Sequence, residues 1–477
     1  MQIALNEIEP EFEDIVTQFQ VYLGNQDVWN AIITAAAGQF LIDVAAAGTT
    51  YNQQSIKRAL FEAFLETSVV PSSAFAIMRM LGVHVFRKVP AVARCTLQND
   101  IANQFTRIPA YSTITVGGVA CYNRNAIIFN SISQTAVISD LYVGTIVRED
   151  FVAYGGPFQR YVLSNPSFTI ADEDIFAYLD NDTTRPLLRR IDGIWFFGEN
   201  EFAFYENTLP DGRVEVIFGN GQFGIQPNSG QVITFVYAVT NGANGNQAVI
   251  QQNITVTGFP NIRGINDTVF EGGSNEKSAE FYKVLGSNLY SSKQGAVTRD
   301  QHRAIVVSYG GVVDARLLGQ AETRPDDPRY INLVEYALLT NTPWTDLQFQ
   351  RFENWLRGND FLGQRGKTMW SLVFRRVDPT PVVIPVDVEI YCRPNSDLLA
   401  IRAAVEDAIK RLLAPNVGSL GYSVYQSDIH ERCNEPGDDV QFVKVLSPLT
   451  DTLLSPLQYP ILGELTVSMF YTNRLER

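Results

Sequence analysis

The sequence is poor in the residues from which metal centres and disulfide frameworks are built. Its 477 residues include three histidines and four cysteines, Cys95, Cys121, Cys392 and Cys433. Zinc sites and redox pairs need cysteines a few residues apart, and no two cysteines here have that spacing. The sequence therefore predicts reduced thiols, no disulfide framework and no metal site.

Runs of basic residues are also absent, and Asp and Glu outnumber Lys and Arg by 51 to 37. The resulting net charge of -14 opposes a broad electrostatic grip on nucleic acid or on an anionic membrane surface. Residues 1–15 hold five acidic residues and no basic one, unlike a secretory signal. We expect no nucleic-acid partner, and we expect assembly inside a cell.

No apolar run is both long and pure enough to predict a membrane span. The most apolar stretch, residues 31–47, leans on alanine and contains Thr34, Gly38, Gln39 and Asp43. Alanine contributes little to membrane insertion, whereas small residues let helices approach one another closely. This stretch predicts a helix–helix contact and no membrane insertion.

Residues 1–85 show helical periodicity. Large apolar residues from 12 to 23 fall on one face of a first helix, which ends at Gly24, and further helices are predicted at about 27–47, 53–66 and 72–80. Because no long companion helix of matching length is predicted for the first one, its stripe would stay exposed without partner helices. The hypothetical partner interface consists of Phe12, Ile15, Phe19, Leu23, Trp29, Phe61 and Phe64.

From about 86 to 262 the apolar period changes to two. Short β-branched or aromatic runs lie at 113–116, 126–129, 136–138, 142–147, 193–197 and 201–205. They predict an antiparallel β domain with an inserted lobe near 150–210. Within residues 212–246, the runs at 214–218 and 232–239 flank the turn Gly219-Asn220-Gly221 and predict a hairpin.

Beyond about 263, helices and strands alternate. Thr298 and Gln301 form a capping box for a helix to Tyr309, and Thr342-Pro343 opens another that ends at Gly358. Strands are predicted at 312–318 and around 386–390, and a helix at 397–413. The predicted fold class is α+β multidomain. Its parts are a helical segment 1–85, a β domain 86–262, an α+β domain 263–380 and a ferredoxin-like C-terminal α+β part 381–477.

The histidines do not form a catalytic or metal-binding pattern. His302 is expected on the surface of a helix beside Arg303. His430-Glu431 resembles the start of a zinc-protease helix, but position 434 is Asn where a second histidine is needed. No histidine is therefore predicted to be catalytic or to bind a metal.

Phosphate, calcium and sugar motifs are equally incomplete. Gly366-Lys367-Thr368 resembles the end of a phosphate loop, but Phe361 stands where the first glycine is needed. Asp438-Asp439 is not part of a 12-residue calcium loop. The acidic runs 172–174 and 326–327 could supply a glycosidase pair, but such runs are more typical of solvated loops.

Aromatic residues are concentrated in the inserted lobe. They are compatible with a carbohydrate platform, and equally with a β core or a subunit interface, because packed strands use the same residue types. A glycan-binding module therefore stays an alternative function, and a glycosidase a third. The residues concerned are Trp195, Phe196, Phe197, Phe202, Phe204 and Tyr205.

Several short motifs follow one another along almost the whole chain. The N-terminal part has Trp29 before an alanine-rich helix, Asp43 within it, and Leu81-Gly82-Val83 followed by Arg87-Lys88-Val89-Pro90-Ala91. The central part has Ile108-Pro109-Ala110, Phe218-Gly219-Asn220-Gly221-Gln222-Phe223-Gly224 and Gly242-Ala243-Asn244-Gly245-Asn246. The C-terminal half has Gly295-Ala296-Val297-Thr298, Gly311-Val312-Val313-Asp314-Ala315, Leu420-Gly421 and Ser447-Pro448.

In this order, the motifs resemble the baseplate J-like wedge proteins of contractile-tailed bacteriophages. Most members continue after Ala110 with glycine, where this chain has Tyr111. The resemblance implies a structural virion protein of the tail baseplate, assembled in the host bacterial cytoplasm, with no catalytic residue and no cofactor. Type VI secretion systems and contractile bacteriocins use similar wedges.

The resemblance also implies partners. Two copies of the chain would join a smaller wedge protein, and six wedges would surround the hub and contact hub and sheath-initiating proteins. The N-terminal helices would bundle with partners, and the C-terminal domain would pair copies into a ring. Host contact would rearrange this ring and the wedges would relay the change to the sheath, with the glycine-punctuated stretch 258–273 as a hypothetical hinge.

Overall fold

The computed structural model describes twelve stretches of the chain. They are residues 12–24, 36–101, 105–130, 134–180, 189–191, 198–199, 201–209, 212–292, 295–358, 372–394, 396–437 and 439–472. For residues 12–14, 24, 36–38, 139 and 189–190 only the backbone is described.

Nine α-helices occur within these stretches. They are α1 (Phe12–Gly24), α2 (Ala36–Glu62), α3 (Pro71–Met80), α4 (Ala279–Ser291), α5 (Arg299–Ser308), α6 (Gln320–Thr323), α7 (Asp346–Arg357), α8 (Leu398–Leu412) and α9 (Gln426–Cys433).

The first fifteen strands precede α4. They are β1 (Val92–Asn99), β2 (Thr106–Ile108), β3 (Thr113–Val116), β4 (Val119–Asn123), β5 (Ile127–Phe129), β6 (Thr135–Val143), β7 (Thr145–Val152), β8 (Arg160–Pro166), β9 (Ile170–Leu179), β10 (Arg189–Ile191), β11 (Ala203–Thr208), β12 (Arg213–Ile217), β13 (Val232–Val239), β14 (Asn253–Val256) and β15 (Phe259–Asn266). Six more follow it, β16 (Val312–Leu318), β17 (Leu333–Thr340), β18 (Val373–Arg376), β19 (Thr380–Cys392), β20 (Val440–Ser447) and β21 (Gln458–Tyr471).

Six of these strands close into an antiparallel barrel in the order β1-β15-β14-β3-β4-β6. Alternate residues point inward, and the interior is filled by side chains such as Leu97, Ile114, Leu141 and Ile254. The barrel is therefore a packed core and not a pore.

Between β6 and β14, the chain leaves the barrel and builds a β-sandwich. A three-stranded sheet β7-β13-β9 faces a four-stranded sheet β10-β11-β12-β8, and Leu163, Val216 and Phe235 belong to the core between them. The other face of the three-stranded sheet packs on the barrel through Val236 and Phe176. Because β13 is covered on both faces, its residues 233–238 are all buried and do not alternate with exposed ones.

The hairpin predicted within residues 212–246 is wrong. β12 pairs with β8 and β11, and β13 pairs with β7 and β9, so the two strands lie in opposite sheets of the sandwich. The glycine-rich turn reverses only a short piece of chain, since the Asn220 N–H donates to the Phe223 carbonyl at 3.1 Å. Gly219 is required there because a Cβ would lie 2.0 Å from the Phe223 carbonyl oxygen.

Two helices predicted in the N-terminal segment are in fact one. α2 continues through residues 47–53, where the sequence predicted a break. The Thr49 and Thr50 hydroxyls donate to the carbonyls of Ala45 and Ala46, each at 2.9 Å. These two threonines therefore bond within the helix instead of ending it. The predictions for α1, α3 and the capping box of α5 are confirmed, the last by Thr298 and Gln301.

Two three-stranded sheets follow the barrel. In β16-β17-β18 the first pair is antiparallel and the second parallel, and α4, α5 and α7 share its core. In β20-β19-β21 the central strand is antiparallel to β20 and parallel to β21, and α8 and α9 cover one face. The α+β class is confirmed. The described strands do not form a four-stranded ferredoxin-like sheet.

The stretch 258–273 does not have the character of a bending linker. Residues 259–266 form β15, which is paired with β1 on one side and β14 on the other. Glu271 is buried, and a Cβ on Gly272 would lie 2.4 Å from the Gln348 side chain. The glycines permit close packing here, and the rotation between two tail states stays a hypothesis.

Candidate partner interface

The first two helices pair with each other, but their lengths do not match. α1 has 13 residues and α2 has 27, which at 1.5 Å per residue gives lengths of about 20 Å and about 40 Å. α1 packs on α2, and Ile15, Ile42 and Ala46 are buried. The first helix therefore has no companion of matching length, as expected, but α2 covers part of its apolar stripe, which was expected to stay exposed without partner helices. We name these two helices, residues 12–24 and 36–62, the arm.

One uncovered row of the arm continues the side of α2 on which Ile42 and Ala46 lie. Ile56 and Leu60 stand fourteen residues after them, about four turns further along the same side. Because α1 is shorter than α2, these side chains stay 62% and 50% exposed.

The second uncovered row lies on the opposite side of α2. Phe40, Val44 and Tyr51 recur at helical spacing, and Leu41 stands beside them. Their exposures range from 54% for Val44 to 71% for Tyr51. Large apolar side chains left in contiguous rows mark surfaces that other helices cover.

The seven residues of the predicted interface have different fates. Ile15 is buried, Phe19 and Leu23 are half-buried, Phe61 is half-buried and Phe64 is 52% exposed. The side chain of Phe12 and the whole of Trp29 lie outside the described residues. The prediction did not include the exposed apolar residues of α2, which are Phe40, Leu41, Val44, Tyr51, Ile56 and Leu60. Their helical spacing is visible in the sequence when residues 36–62 are treated as one helix.

α3 attaches the C-terminal end of the arm to the domain that follows the barrel. Met78 is fully buried against α4, and Leu65 packs on the same core. A Cβ on Gly286 would lie 2.9 Å from the Met78 sulfur and 3.1 Å from Leu65. Glycine at this position of α4 therefore lets α3 approach closely.

The segment after α3, residues 81–91, touches both the sandwich and the α4 domain. His84 Nε2 lies 2.7 Å from Asp172 Oδ1, and the Arg87 N–H donates to the same oxygen at 3.1 Å. The Arg87 guanidinium donates to Glu206 at 2.9 Å. The Phe86 N–H donates to the Tyr282 hydroxyl at 2.8 Å, and burial raises the pKa of this phenol. The segment is thus hydrogen-bonded to the sandwich on one side and to the α4 domain on the other.

A second set of buried charges joins the barrel to the sandwich. Arg124 donates to Asp174 Oδ2 at 2.8 Å, and the Tyr122 hydroxyl donates to the same carboxylate. The Arg124 guanidinium also lies 4.0 Å from the centre of the Tyr142 ring. Asp174 is 1% exposed and belongs to β9. The acidic run 172–174 is therefore not a solvated loop, because arginines distant in sequence compensate it.

A third junction connects the barrel to α7. Arg351 donates to Asp140 at 2.8 Å, and the Glu271 carboxylate accepts from the Thr345 N–H at 2.9 Å and from the Thr345 hydroxyl. Gln348 packs against Gly272. With the other two sets of contacts, this junction fixes barrel, sandwich and α4 domain against one another.

The groups with catalytic potential are held in structural contacts. His302 is buried, which corrects the expected surface position, and burial lowers its pKa while Nδ1 bonds the Thr298 carbonyl. Burial raises the pKa of Cys95, Cys121 and Cys433 to about 12, so these thiols stay protonated. All four cysteines are free.

Lys277 is a buried cation next to the start of α4. Burial lowers its pKa to about 7. Its Nζ donates to the carbonyls of Val312 at 2.8 Å and Tyr309 at 3.3 Å, so it braces the chain after α5. Within the described stretches, no group of three or more His, Cys, Asp or Glu could hold a metal. Residues 366–368 and Asp438 lie outside them.

The C-terminal sheet has an open face that carries aromatic side chains. Phe442, Tyr391 and Phe470 stand opposite one another on β20, β19 and β21. Their ring centres are 5.8 Å and 5.2 Å apart. Phe442 and Phe470 are 56% and 43% exposed. This aromatic row is a second surface that a partner can cover.

Comparison with known proteins found similarity among solved structures only. No family model matches the chain, and no curated protein matches it. Among solved structures, it is similar to a chain in the cryo-EM structure of the anti-feeding prophage (AFP) baseplate, 6-fold symmetrised. The identity is 11% and the TM-score 0.31, over 95% of this chain and 90% of the other. Similarity at this level does not establish a shared fold.

A search for membrane-spanning helices gave none: within the described residues, no helix is long and apolar enough to cross a bilayer.

Proposed function

We propose that this protein is a structural, non-enzymatic wedge subunit of the baseplate of a contractile tail. The proposal joins the order of the family-like motifs to one observation, the two uncovered apolar rows of α2. Each row offers a surface on which a further helix can pack. The arm is then the part that bundles with a smaller wedge protein and with a second copy of this chain.

The uncovered rows carry this proposal because their burial has a large driving force. Phe40, Leu41, Val44 and Tyr51 expose at least half of their side-chain surface. Burying large apolar side chains contributes about 1.5 to 3 kcal/mol each. Because these four residues are 54% to 71% exposed and otherwise already buried, a bundle that covers them gains on the order of 4 to 7 kcal/mol before ordering costs are subtracted.

The remaining parts of the proposal follow the resemblance. The units 1–85, 86–262, 263–380 and 381–477 serve as bundling segment, β body with an inserted lobe near 150–210, α+β domain and copy-pairing domain. Six wedges surround the hub, contact hub and sheath-initiating proteins, and relay host contact to the sheath. The protein resides in the virion tail baseplate after assembly in the host bacterial cytoplasm.

The arm proposal is tested by native mass. The chain is purified alone and after co-expression with the products of its neighbouring genes, and the mass of each particle is measured. We expect a stoichiometric complex that contains more than one copy of this chain. The triple variant Phe40→Ser, Val44→Ser and Tyr51→Ser should lose the smaller partner while keeping the fold of the β body.

A matched variant controls for surface hydrophobicity in general. Val152→Ser, Val297→Ser and Ile331→Ser alter three residues that are 67%, 68% and 70% exposed but lie outside the arm. This control should assemble as the unaltered chain does. A stable monomer that ignores all co-expressed neighbours would contradict the proposal.

The copy-pairing role is assigned to the aromatic row of the C-terminal sheet. Aromatic side chains are enriched at interfaces because they bury a large area at low entropy cost. The double variant Phe442→Ser and Phe470→Ser should reduce the number of copies per particle without displacing the smaller partner. Loss of both together would show that the two surfaces are not independent.

A further inference from the structure

At one end of the sandwich, three segments of the chain meet. They are residues 154–159, 198–199 with 201–202, and 219–227, and we name this end the tip. The Phe158 N–H donates to the Gly219 carbonyl at 2.9 Å, and the Gly224 N–H donates to the Gly198 carbonyl at 2.9 Å. The tip is thus one unit, although its parts are distant in sequence.

The tip is held rigidly from beneath by a buried amide. Gln159 is fully buried, and its Oε1 accepts from the Tyr154 N–H at 3.0 Å and from the Tyr161 hydroxyl at 2.6 Å. Its Nε2 donates to the Pro227 carbonyl at 2.6 Å. Asn220 Oδ1 accepts from the Phe223 N–H at 2.7 Å and fixes the turn above. Such a surface loses little entropy when a ligand binds.

This rigid support presents aromatic side chains to solvent. Tyr154, Phe158, Phe202 and Phe223 are 59%, 39%, 45% and 55% exposed. Phe158 has a backbone φ of 51°, a conformation that a bulky residue rarely adopts. Strain of this kind persists where the surrounding structure enforces it, and it is found most often at functional sites.

An acidic side chain lies beside Phe223, the most exposed phenylalanine of the tip. Glu199 and Phe223 are paired across an antiparallel bridge, so their side chains project from the same face. Glu199 is exposed and has no ion-pair partner among the described residues. A ring face next to a carboxylate is a receptor for a flat cation.

We propose that the tip binds an arginine side chain of a partner protein, with the guanidinium against Phe223 and paired with Glu199. Within the described stretches, guanidinium groups already lie against rings, since Arg124, Arg324 and Arg376 are 4.0 to 4.2 Å from the ring centres of Tyr142, Tyr330 and Phe349. The acidic charge of the tip favours this partner over a neutral sugar. The inference does not depend on the baseplate proposal.

The test measures the affinity of a dye-labelled peptide containing three arginines, by fluorescence anisotropy at physiological salt. The same peptide with citrulline replacing arginine keeps the shape but removes the charge. We expect binding of the arginine peptide only. Phe223→Leu, which keeps apolar bulk but removes the ring, and Glu199→Gln should each weaken it about two- to fivefold.

Two matched variants separate the tip from general attraction between an acidic protein and a basic peptide. Phe168→Leu changes a phenylalanine 52% exposed outside the tip, and Glu464→Gln changes an exposed carboxylate on β21. Both should bind the peptide as the unaltered chain does. All variants should melt at the same temperature, which excludes unfolding as the cause.

Three outcomes would overturn the proposal. The first is equal binding of the citrulline peptide. The second is an equal effect of the tip variants and their matched controls, which would leave only non-specific charge attraction. The third is binding of maltoheptaose, a neutral sugar, that Phe223→Leu abolishes while the arginine peptide does not bind, which would make the tip a carbohydrate platform.

Discussion

The arm and the β body use opposite means to hold their parts together. At the junction of barrel and sandwich, Arg124 and Asp174 are buried together with Tyr122. In the arm, two helices meet through apolar side chains, and α2 leaves two apolar rows uncovered. Buried charges cannot part without an uncompensated charge, whereas an apolar helix face accepts any helix that fits. The buried charges of the β body are therefore compensated within the chain, whereas the arm has apolar surface left for partner helices.

The largest effect on stability is expected when one partner of the buried ion pair is removed. Asp174→Ala leaves the Arg124 guanidinium and the Tyr122 hydroxyl without their shared acceptor. We expect a loss of about 3 to 5 kcal/mol in the local stability of the junction. Hydrogen exchange of the amides in β4 and β9 measures it. Glu406→Ala, which removes the exposed α8 ion pair with Arg402, should change stability by about 0.5 kcal/mol or less.

The next effect compares two neighbouring positions of α2. Ile42 is 4% exposed and Val44 is 54% exposed. Ile42→Ala should cost about 2 to 5 kcal/mol in the packing of α1 on α2, because it opens a cavity. In the chain without partner proteins, Val44→Ala should lower the stability of this packing by about 0.5 kcal/mol or less. Hydrogen exchange in α1 measures both, and equal effects would show that the described arm packing is wrong.

A smaller loss of stability is expected when the contact between α3 and α4 is overpacked. Gly286→Leu places a side chain where the Met78 sulfur would lie 2.9 Å from a Cβ, and overpacking typically costs about 1 to 3 kcal/mol. The exchange rates of amides in α3 should rise. Adding Met78→Ala should restore much of the loss, and failure of this rescue would mean that the two residues are not in contact.

The smallest effect concerns backbone strain at Tyr111. This residue has φ 57°, and its ring centre lies 4.9 Å from that of Phe176. Tyr111→Ala and Tyr111→Gly both lose the ring, but only glycine relieves the left-handed backbone. We expect the glycine variant to be more stable than the alanine variant by about 1 kcal/mol. Identical melting temperatures would contradict the strain.

Tyr111 also illustrates what the sequence revealed and what it did not. The resemblance marks this position as one where glycine is usual, and the backbone adopts the conformation that glycine favours. That an aromatic ring would occupy the seam between barrel and sandwich was not foreseeable from neighbouring residues. The cost of the backbone is offset by contacts with Phe176 and Tyr122, which are remote in sequence.

Predictions from local patterns succeeded where the physical cause was local. The capping box of Thr298 and Gln301 and the left-handed Gly358 at the end of α7 depend on residues within one turn. The predicted pairing of β13 with β12 in a hairpin was wrong, because strand pairing depends on the whole sheet and not on the nearest turn. The interface prediction chose the apolar stripe of α1, which α2 covers in part, and it included only Phe61 from α2, not the exposed rows of that helix.

The sequence by itself determined that this is an acidic α+β protein with a helical N-terminal segment and four thiols at isolated positions. Periodicity, capping and charge are properties of neighbouring residues, so they were visible without a structure. Only the tertiary structure decided that Asp172 and Asp174 are buried, that α1 has a companion, and that α2 keeps uncovered apolar rows. These facts depend on residues that are 50 to 88 positions apart in the sequence or on differences in helix length, which no local pattern contains.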